Sequence, residues 1–425
     1  MNDQPNAHPL LAAAPWLRDT ATMKVFDVLE RAGYQGRAVG GTVRNTLLGE
    51  PISDIDMATD ATPEQVTLAA QRAGLRVLPT GIAHGTVTII VKGKPFEVTT
   101  LRKDVSTDGR RATVAFTSDW AEDAMRRDFT INALYCDRHG NLFDPVGGLQ
   151  DIEHRRVRFI GDAHQRIRED YLRILRFFRF SATYANGHLD PVGLAACDIE
   201  RTGMACLSAE RIHHELLRLL AAPHSVPVLK RMSELNFLDD LLACPHNVEA
   251  FAALRALQEE LSQRYSLEML PDPVLGLVAL AASDRNAVLA LRQRLRLSNA
   301  ETERMAQARE AARMMPATGN GEGIHACIYR HGSRYVEDGL LLNACEAPQR
   351  LDLNELAQRI SLARTWSPPQ MPVSGGDVVA RGIPPGPRVA EILKQLEAWW
   401  IAQGFPQDRA AIEQHLDHLM MITKT

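Results

Sequence analysis

The stretch "GGTVRNTLLGEPISDIDMATD", residues 40–60, opens on a glycine pair and closes on Asp54 and Asp56 with one residue between them. If "ISDIDMAT" is extended, the two-residue side-chain period places both carboxylates on one face, a few ångströms apart. Like charges that close need a positive occupant, and hard divalent cations typically combine one or two carboxylates with substrate phosphates. Gly40 and Gly41 let the backbone approach a phosphate at the start of the helical run "TVRNTLLG". The stretch therefore asks for a metal-bound polyphosphate. A lone DxD is frequent in a chain with 52 acidic residues, so the rest of the sequence has to support it.

On either side, from about residue 20 to 145, helix and strand patterns mix. "MKVFDVLERAG" has helical spacing, while "GTVTIIVKG" and "KPFEVTTL" are β-branched runs bounded by turn residues. Beyond "EDYLRILRFFRF" nearly every long segment, such as "AERIHHELLRLLAA", has helical periodicity. The expected fold is α+β: an α/β head with a mixed sheet, then an all-helical neck, body and tail. The expected boundaries are 20–150, 151–235 and 236–425, with joints at the Gly/Pro-rich 314–323 and 365–377.

The 425 residues exceed the usual size of one core, and 45% hydrophobic with 24% charged residues describes a soluble multidomain chain. A net charge of −4 and a pI near 6.4 leave nucleic-acid contacts to local basic patches. Residues 151–180, with eight arginines against five acids, are such a patch. Six scattered cysteines without CxxC spacing read as reduced thiols. The N-terminal stretch resembles neither a signal peptide nor a spanning helix, so a cytoplasmic protein without membrane contact is expected. His84, His213, His214, His415 and His418 lack the HD spacing of a metal phosphohydrolase.

"VGGTVRNTLLGEPISDIDMATDATPEQV" resembles the first motif of the class II tRNA nucleotidyltransferase and bacterial poly(A) polymerase family, in the DNA polymerase beta superfamily. "RRDFTINAL", "FDPVGGLQDI", "REDYLRILRFFRF" and "SAERI" resemble later motifs in the same order, over roughly residues 36–215. The resemblance implies nucleotidyl transfer, with Asp54 and Asp56 holding Mg²⁺ and Glu97 of "PFEVTTLR" as the third catalytic carboxylate. Arg44, one turn past the glycines, is a candidate guanidinium fork for triphosphate oxygens. Arg127 and Asp128 resemble the family's nucleotide-holding pair, with Asn132 of the same helix positioning sugar or phosphate. The polar stretch with Arg102, Asp104, Asp108, Arg110 and Arg111 reads as a mobile loop; in the family it is tied to the switch from C to A addition, and here it looks intact.

Asp170 and Arg173, three apart on an expected helix, share a face. Asp offers acceptors and Arg donors. Cytosine and adenine present an amino group beside a ring acceptor and match; uracil and guanine place a carbonyl opposite the carboxylate and fail. Glu169 is placed to orient Arg173, Arg176 continues the nucleotide-binding stripe, and Arg179 is expected to turn away as a structural or RNA-facing residue. The implied activity is building the 3′ CCA of tRNA from CTP and ATP, by a monomer or homodimer. Poly(A) polymerase activity, or addition of CC or A alone, are the alternatives within the family, and a non-catalytic RNA-binding scaffold is the alternative outside it.

Overall fold

The computed structural model describes residues 7–81, 85–108, 111–315, 322–346 and 352–422. The chain divides into two units, Met1–Phe237 and Leu238–Thr425. The first is built on a seven-stranded sheet. Its strands are β1 (Gly36–Val39), β2 (Asp56–Thr59), β3 (Arg76–Gly81), β4 (Thr86–Val91), β5 (Lys94–Thr100), β8 (Tyr135–Cys136) and β9 (Leu142–Phe143), in the order β3-β4-β5-β2-β1-β8-β9. β2 and β5 run parallel and the other pairs antiparallel, so the sheet is mixed as expected.

Helices Thr20–Arg31 and Pro63–Arg72 cover one face of the sheet. The second begins at a capping box, Thr62 with Gln65, followed by a proline whose fixed φ suits the first helical position. In β5 the alternation buries Phe96, Val98 and Thr100 and leaves Glu97 exposed. Full burial of Phe96 contributes about 1.5–3 kcal/mol. Because Met57 pairs with Val98 and both are buried, their neighbours Asp56 and Glu97 emerge on the face away from those helices.

Helix Gly41–Leu48 starts at Gly40, whose φ of +65° and ψ of −118° suit only glycine. It stops at Gly49 in the left-handed region, where the amides of Gly49 and Glu50 return to the carbonyls of Thr46 and Asn45. The stretch expected to be a mobile loop is a two-stranded antiparallel ribbon, β6 (Arg102–Asp108) with β7 (Arg111–Phe116). Arg102, Asp104, Asp108 and Arg111 take part in its pairing; Arg110 lies outside the described residues, as does His84.

The rest of the first unit is helical. Helix Leu172–Tyr184 buries Ile174, Leu175, Phe177, Phe178 and Phe180. Phe129, Phe159 and Phe177 form a continuous aromatic contact that ties this helix to the residues following the ribbon. The second unit is helical throughout its described residues. Its last helices close a core of Val378, Ile392, Leu396, Trp400, Ile412 and Leu416.

Candidate active site

Asp56 and Glu97 are partners in the register of the parallel pair β2–β5, and Asp54 lies two residues before β2 begins at Asp56. Burial, Glu97 and Asp54, in that order, push the Asp56 carboxyl above its ordinary range, against a smaller opposing pull from Arg127. Three oxygen-bearing side chains that repel one another form a donor set suited to a hard cation. Among the described residues no three His, Cys, Asp or Glu side chains are already grouped closely enough to hold an ion unaided. The set fits an ion that also takes oxygens from phosphate.

Thr42, buried in the first turn of helix Gly41–Leu48, donates its hydroxyl to the Asp54 carbonyl at 3.1 Å and accepts the Asp56 amide at 3.3 Å. It fixes the backbone that carries both carboxylates, a role that sequence reasoning missed. At Gly40, a Cβ would lie 3.7 Å from both Arg127 Nη1 and the Asn132 carbonyl, so the turn, Arg127 and Asn132 meet at one place.

Arg127 donates to Asp123, to the Tyr135 hydroxyl and to the Asn132 carbonyl. Burial alone would lower its pKa, but Tyr135 and Asp123 hold it above the usual arginine value, so it stays charged. Asp123, 1% exposed, also accepts from Arg126 and from the backbone amide of Arg102 at the root of the ribbon. No local motif announced Asp123 or Tyr135.

Asp128 and Asn132 are not on the helix expected from "RRDFTINAL". Phe129 is extended, with φ −122° and ψ 149°, and only Thr130–Asn132 form a turn, of 3₁₀ type. Asp128 accepts from the Phe129 amide and from Asn132 Nδ2, each at 2.9 Å, and from Arg176 at 2.5 Å. Burial opposes its ionisation, yet Arg176 and Asn132 keep it well below the usual carboxylate range.

Arg44 is also more enclosed than an open phosphate fork. It is 6% exposed and donates to Asn132 Oδ1, to Asn45 and to Tyr184, beneath the N-terminus of its own helix. Of the two roles expected for Arg179 the structure shows the structural one: it turns inward to Glu215 at 2.5 Å and is buried. The guanidinium carbons of Arg44, Arg176 and Arg179 lie 5.3, 5.1 and 4.3 Å from the ring centroid of Phe180. Three cations gather around one ring and are answered by two carboxylates, Asp128 and Glu215.

Asp170 and Arg173 are likewise not one helix apart. Helix Ala163–Glu169 ends, Asp170 is extended at φ −157° and ψ 105°, and the next helix begins at Leu172. The turn has a cause: Asp170 Oδ1 accepts the Leu172 amide at 3.1 Å, an Asx turn that leads into the new helix. Its Oδ2 accepts from Arg211 of "SAERI" at 2.7 Å. Arg173 donates to Glu169 and to the Arg166 carbonyl, each at 2.6 Å, the first of these being the contact anticipated for Glu169. Arg211 was legible only as part of a motif, without a role.

The basic patch at 151–180 is also mostly answered internally. Arg156 pairs with Asp190, Arg158 with Asp151, Arg166 and Arg173 with Glu169, Arg168 with Glu200, Arg176 with Asp128 and Arg179 with Glu215. Among the described residues only Arg155 of the eight has no ion pair.

Residues 36–158 match the family model of the poly A polymerase head domain, and 202–257 match one described as the probable RNA and SrmB-binding site of polymerase A. The chain is 34% identical over 385 residues to the mitochondrial CCA tRNA nucleotidyltransferase 1 of Danio rerio, covering 88% of this chain and 85% of that protein. It is 30% identical over 395 residues to a CCA-adding enzyme of Lacticaseibacillus paracasei, covering 91% and 93%. The crystal structure of the Bacillus stearothermophilus CCA-adding enzyme in complex with CTP superposes with a TM-score of 0.74 at 25% identity, over 97% of this chain and 98% of that one.

Proposed function

The chain belongs to the family of CCA-adding tRNA nucleotidyltransferases, and from that premise we propose that it builds and repairs the 3′-terminal CCA of tRNA from CTP and ATP, releasing pyrophosphate. The observation that carries the reading is the pairing of Asp56 with Glu97 beside Asp54, next to the Gly40 turn and the arginines around Phe180. The family uses divalent metal, and Mg²⁺ is our assignment. Asp54 and Asp56 would hold it, and when bound it polarises the α-phosphate and the attacking 3′-hydroxyl.

The protein's own groups do the rest. The Gly40–Gly41 turn admits the triphosphate, with Arg127, Arg44 and Arg176 neutralising it. Glu97 completes the carboxylate set. Asp128 and Asn132 position the sugar, and Asp170 with Arg173 read the amino group and ring acceptor shared by cytosine and adenine. Within the first unit we assign the head to 20–150 and the neck to 151–235; 236–425 is the body and tail that holds tRNA. The protein acts in the cytoplasm; no helix among the described residues is long and apolar enough to cross a membrane.

The deciding experiment supplies purified protein and Mg²⁺ with tRNA transcripts ending before CCA, after C and after CC, and an unrelated RNA, with each nucleotide triphosphate alone and together. Growth to CCA followed by arrest is expected. Long A tracts on every RNA would replace the reading with polyadenylation, arrest after CC would restrict it to partial addition, and no extension would leave a non-catalytic scaffold.

A further inference from the structure

The second unit holds a cavity of about 380 Å³ that the proposed reaction does not use. It lies among helices Val248–Tyr265, Pro273–Ala281, Asn299–Met314, Ser333–Glu346 and Leu353–Thr365. Most charged groups in its wall satisfy one another. Arg304 donates to both oxygens of Asp338 and to Asp272, and Arg364 to both oxygens of Glu337.

One polar group is left over. Gln258 is 5% exposed and lines the cavity; its Oε1 is buried without a hydrogen-bond partner and meets a ligand through a turn of the terminal amide, whose last torsion is broad. Interiors seldom keep an amide in that state unless something from outside completes it. Around it, Leu275 and Leu341 supply aliphatic wall. Leu270, 72% exposed, stands at the rim. Arg334, with a side chain 67% exposed and only a 3.4 Å contact to Asp272, leaves donors free at the mouth.

This combination selects among ligands. A primary amide pairs with an edge that offers a donor beside an acceptor, aliphatic groups cover a flat ring, and a guanidinium at the opening reaches a phosphate or ribose oxygen attached to it. Arg304, Asp338, Asp272, Arg364 and Glu337 in the wall already pair with one another, which favours an uncharged ring over an ionic group there, and the volume lies within the range of small-ligand sites. We propose that this cavity is a nucleobase pocket, separate from the polymerising site and taking an unpaired base, either of bound tRNA or of a free nucleoside. The first source rests on the tRNA reading above; the second does not.

The test uses the full-length chain and two variants. Gln258→Met removes both ends of the amide at similar volume, and Arg334→Gln acts at the exposed mouth, where folding is not at stake. Affinity for a tRNA transcript is read by fluorescence anisotropy, and for adenosine and cytidine by equilibrium dialysis. If the base belongs to tRNA, Gln258→Met weakens tRNA binding about ten-fold and Arg334→Gln about three-fold, with kcat at saturating tRNA unchanged. If tRNA affinity is unchanged while nucleoside affinity falls in both variants, the ligand is the free nucleoside. Unchanged affinity for both, with the melting temperature held or raised, overturns the pocket and leaves Gln258 to water. Binding is read without turnover, so a failure of CCA addition by the wild type would sink the function proposed above and not this result.

Discussion

Thr42 spends one hydroxyl on two backbone groups, the Asp54 carbonyl and the Asp56 amide, so its loss should be felt in positioning rather than in folding. Thr42→Val keeps the shape and removes both bonds. Single-turnover C addition is expected to slow about 10- to 100-fold with tRNA affinity unchanged, and Thr42→Ser to recover most of it; an unchanged rate would mean that the carboxylates position themselves. Asp56 is the opposite case, a group the fold holds at a cost. Because burial and its acidic neighbours raise its pKa, the folded protein binds that proton more tightly than the unfolded chain. Its unfavourable charge is therefore felt increasingly as pH rises through the raised range. In EDTA, Asp56→Asn should melt higher than wild type by about 1–2 °C near neutral pH, with the gap closing in acid, while in separate assays with Mg²⁺ the variant adds no C and wild type does. A variant that melts lower would show that the carboxylate is structurally paired. "DID" raised the two aspartates as candidates and the later motifs supported them, although only Asp56 lies in the strand that the two-residue period assumed. Thr42 was not legible, because a hydroxyl that bridges residues 12 and 14 positions away leaves no local pattern.

At the level of elements, strands β4 and β5 and helix Gly41–Leu48 follow from β-branched runs, glycine turns and periodicity, and the sequence reading located each. The ribbon β6–β7 was read as loop because "RKDVSTDGRRATVAFT" is largely polar and lacks the alternation that a half-buried strand requires. The bend at Asp170 was read as continuous helix because a carboxylate that closes an Asx turn inside a helical run looks like an ordinary helical residue. The ribbon nonetheless has a consequence of its own. Its root is tied through the Arg102 amide to Asp123 and so to Arg127. Shortening it by removing 104–113 should leave CC addition intact and lower the final A addition by at least about 100-fold, scored on transcripts ending in CC; equal loss of both steps would make it a general folding element. A second tie joins Asp128 to Arg176 across 48 residues, a separation no local pattern reports. Asp128→Asn removes the shorter of that guanidinium's two carboxylate contacts, Glu215 remaining at 3.7 Å, and should cost about 1–3 kcal/mol by urea denaturation. Since Asp128 is held low, its stabilisation is present above the ordinary carboxylate range and fades as pH falls toward its folded value. The gap between wild type and variant should therefore narrow below about pH 4.

Over the whole molecule, charge decides how tRNA can be held. Lys and Arg number 29 against 29 Asp and Glu up to residue 237, and 19 against 23 beyond it, so neither unit carries a positive balance. Counting residue types over 151–180 suggested a patch for phosphates, but counting sees composition and not partners. Seven of those eight arginines are met by carboxylates within 4 Å, several from elements distant in sequence. A protein that releases few counterions depends weakly on salt, because the slope of log affinity against log salt follows the number of phosphates neutralised. The expected slope for tRNA is about −1 to −3, against about −6 to −10 for a protein that neutralises that many phosphates. Recognition would then lean on groove shape and ribose contacts, as double-helical RNA permits. Anisotropy titrations between about 50 and 200 mM salt settle the matter. A slope near −6 would mean that the ion pairs open on binding, and the half-exposed pairs Arg156–Asp190, Arg158–Asp151 and Arg168–Glu200 would be the first to trade carboxylate for phosphate. Asp190→Asn and Glu200→Gln should in that case tighten binding by releasing their arginines in advance, whereas with a shallow slope the same substitutions should leave affinity where it was.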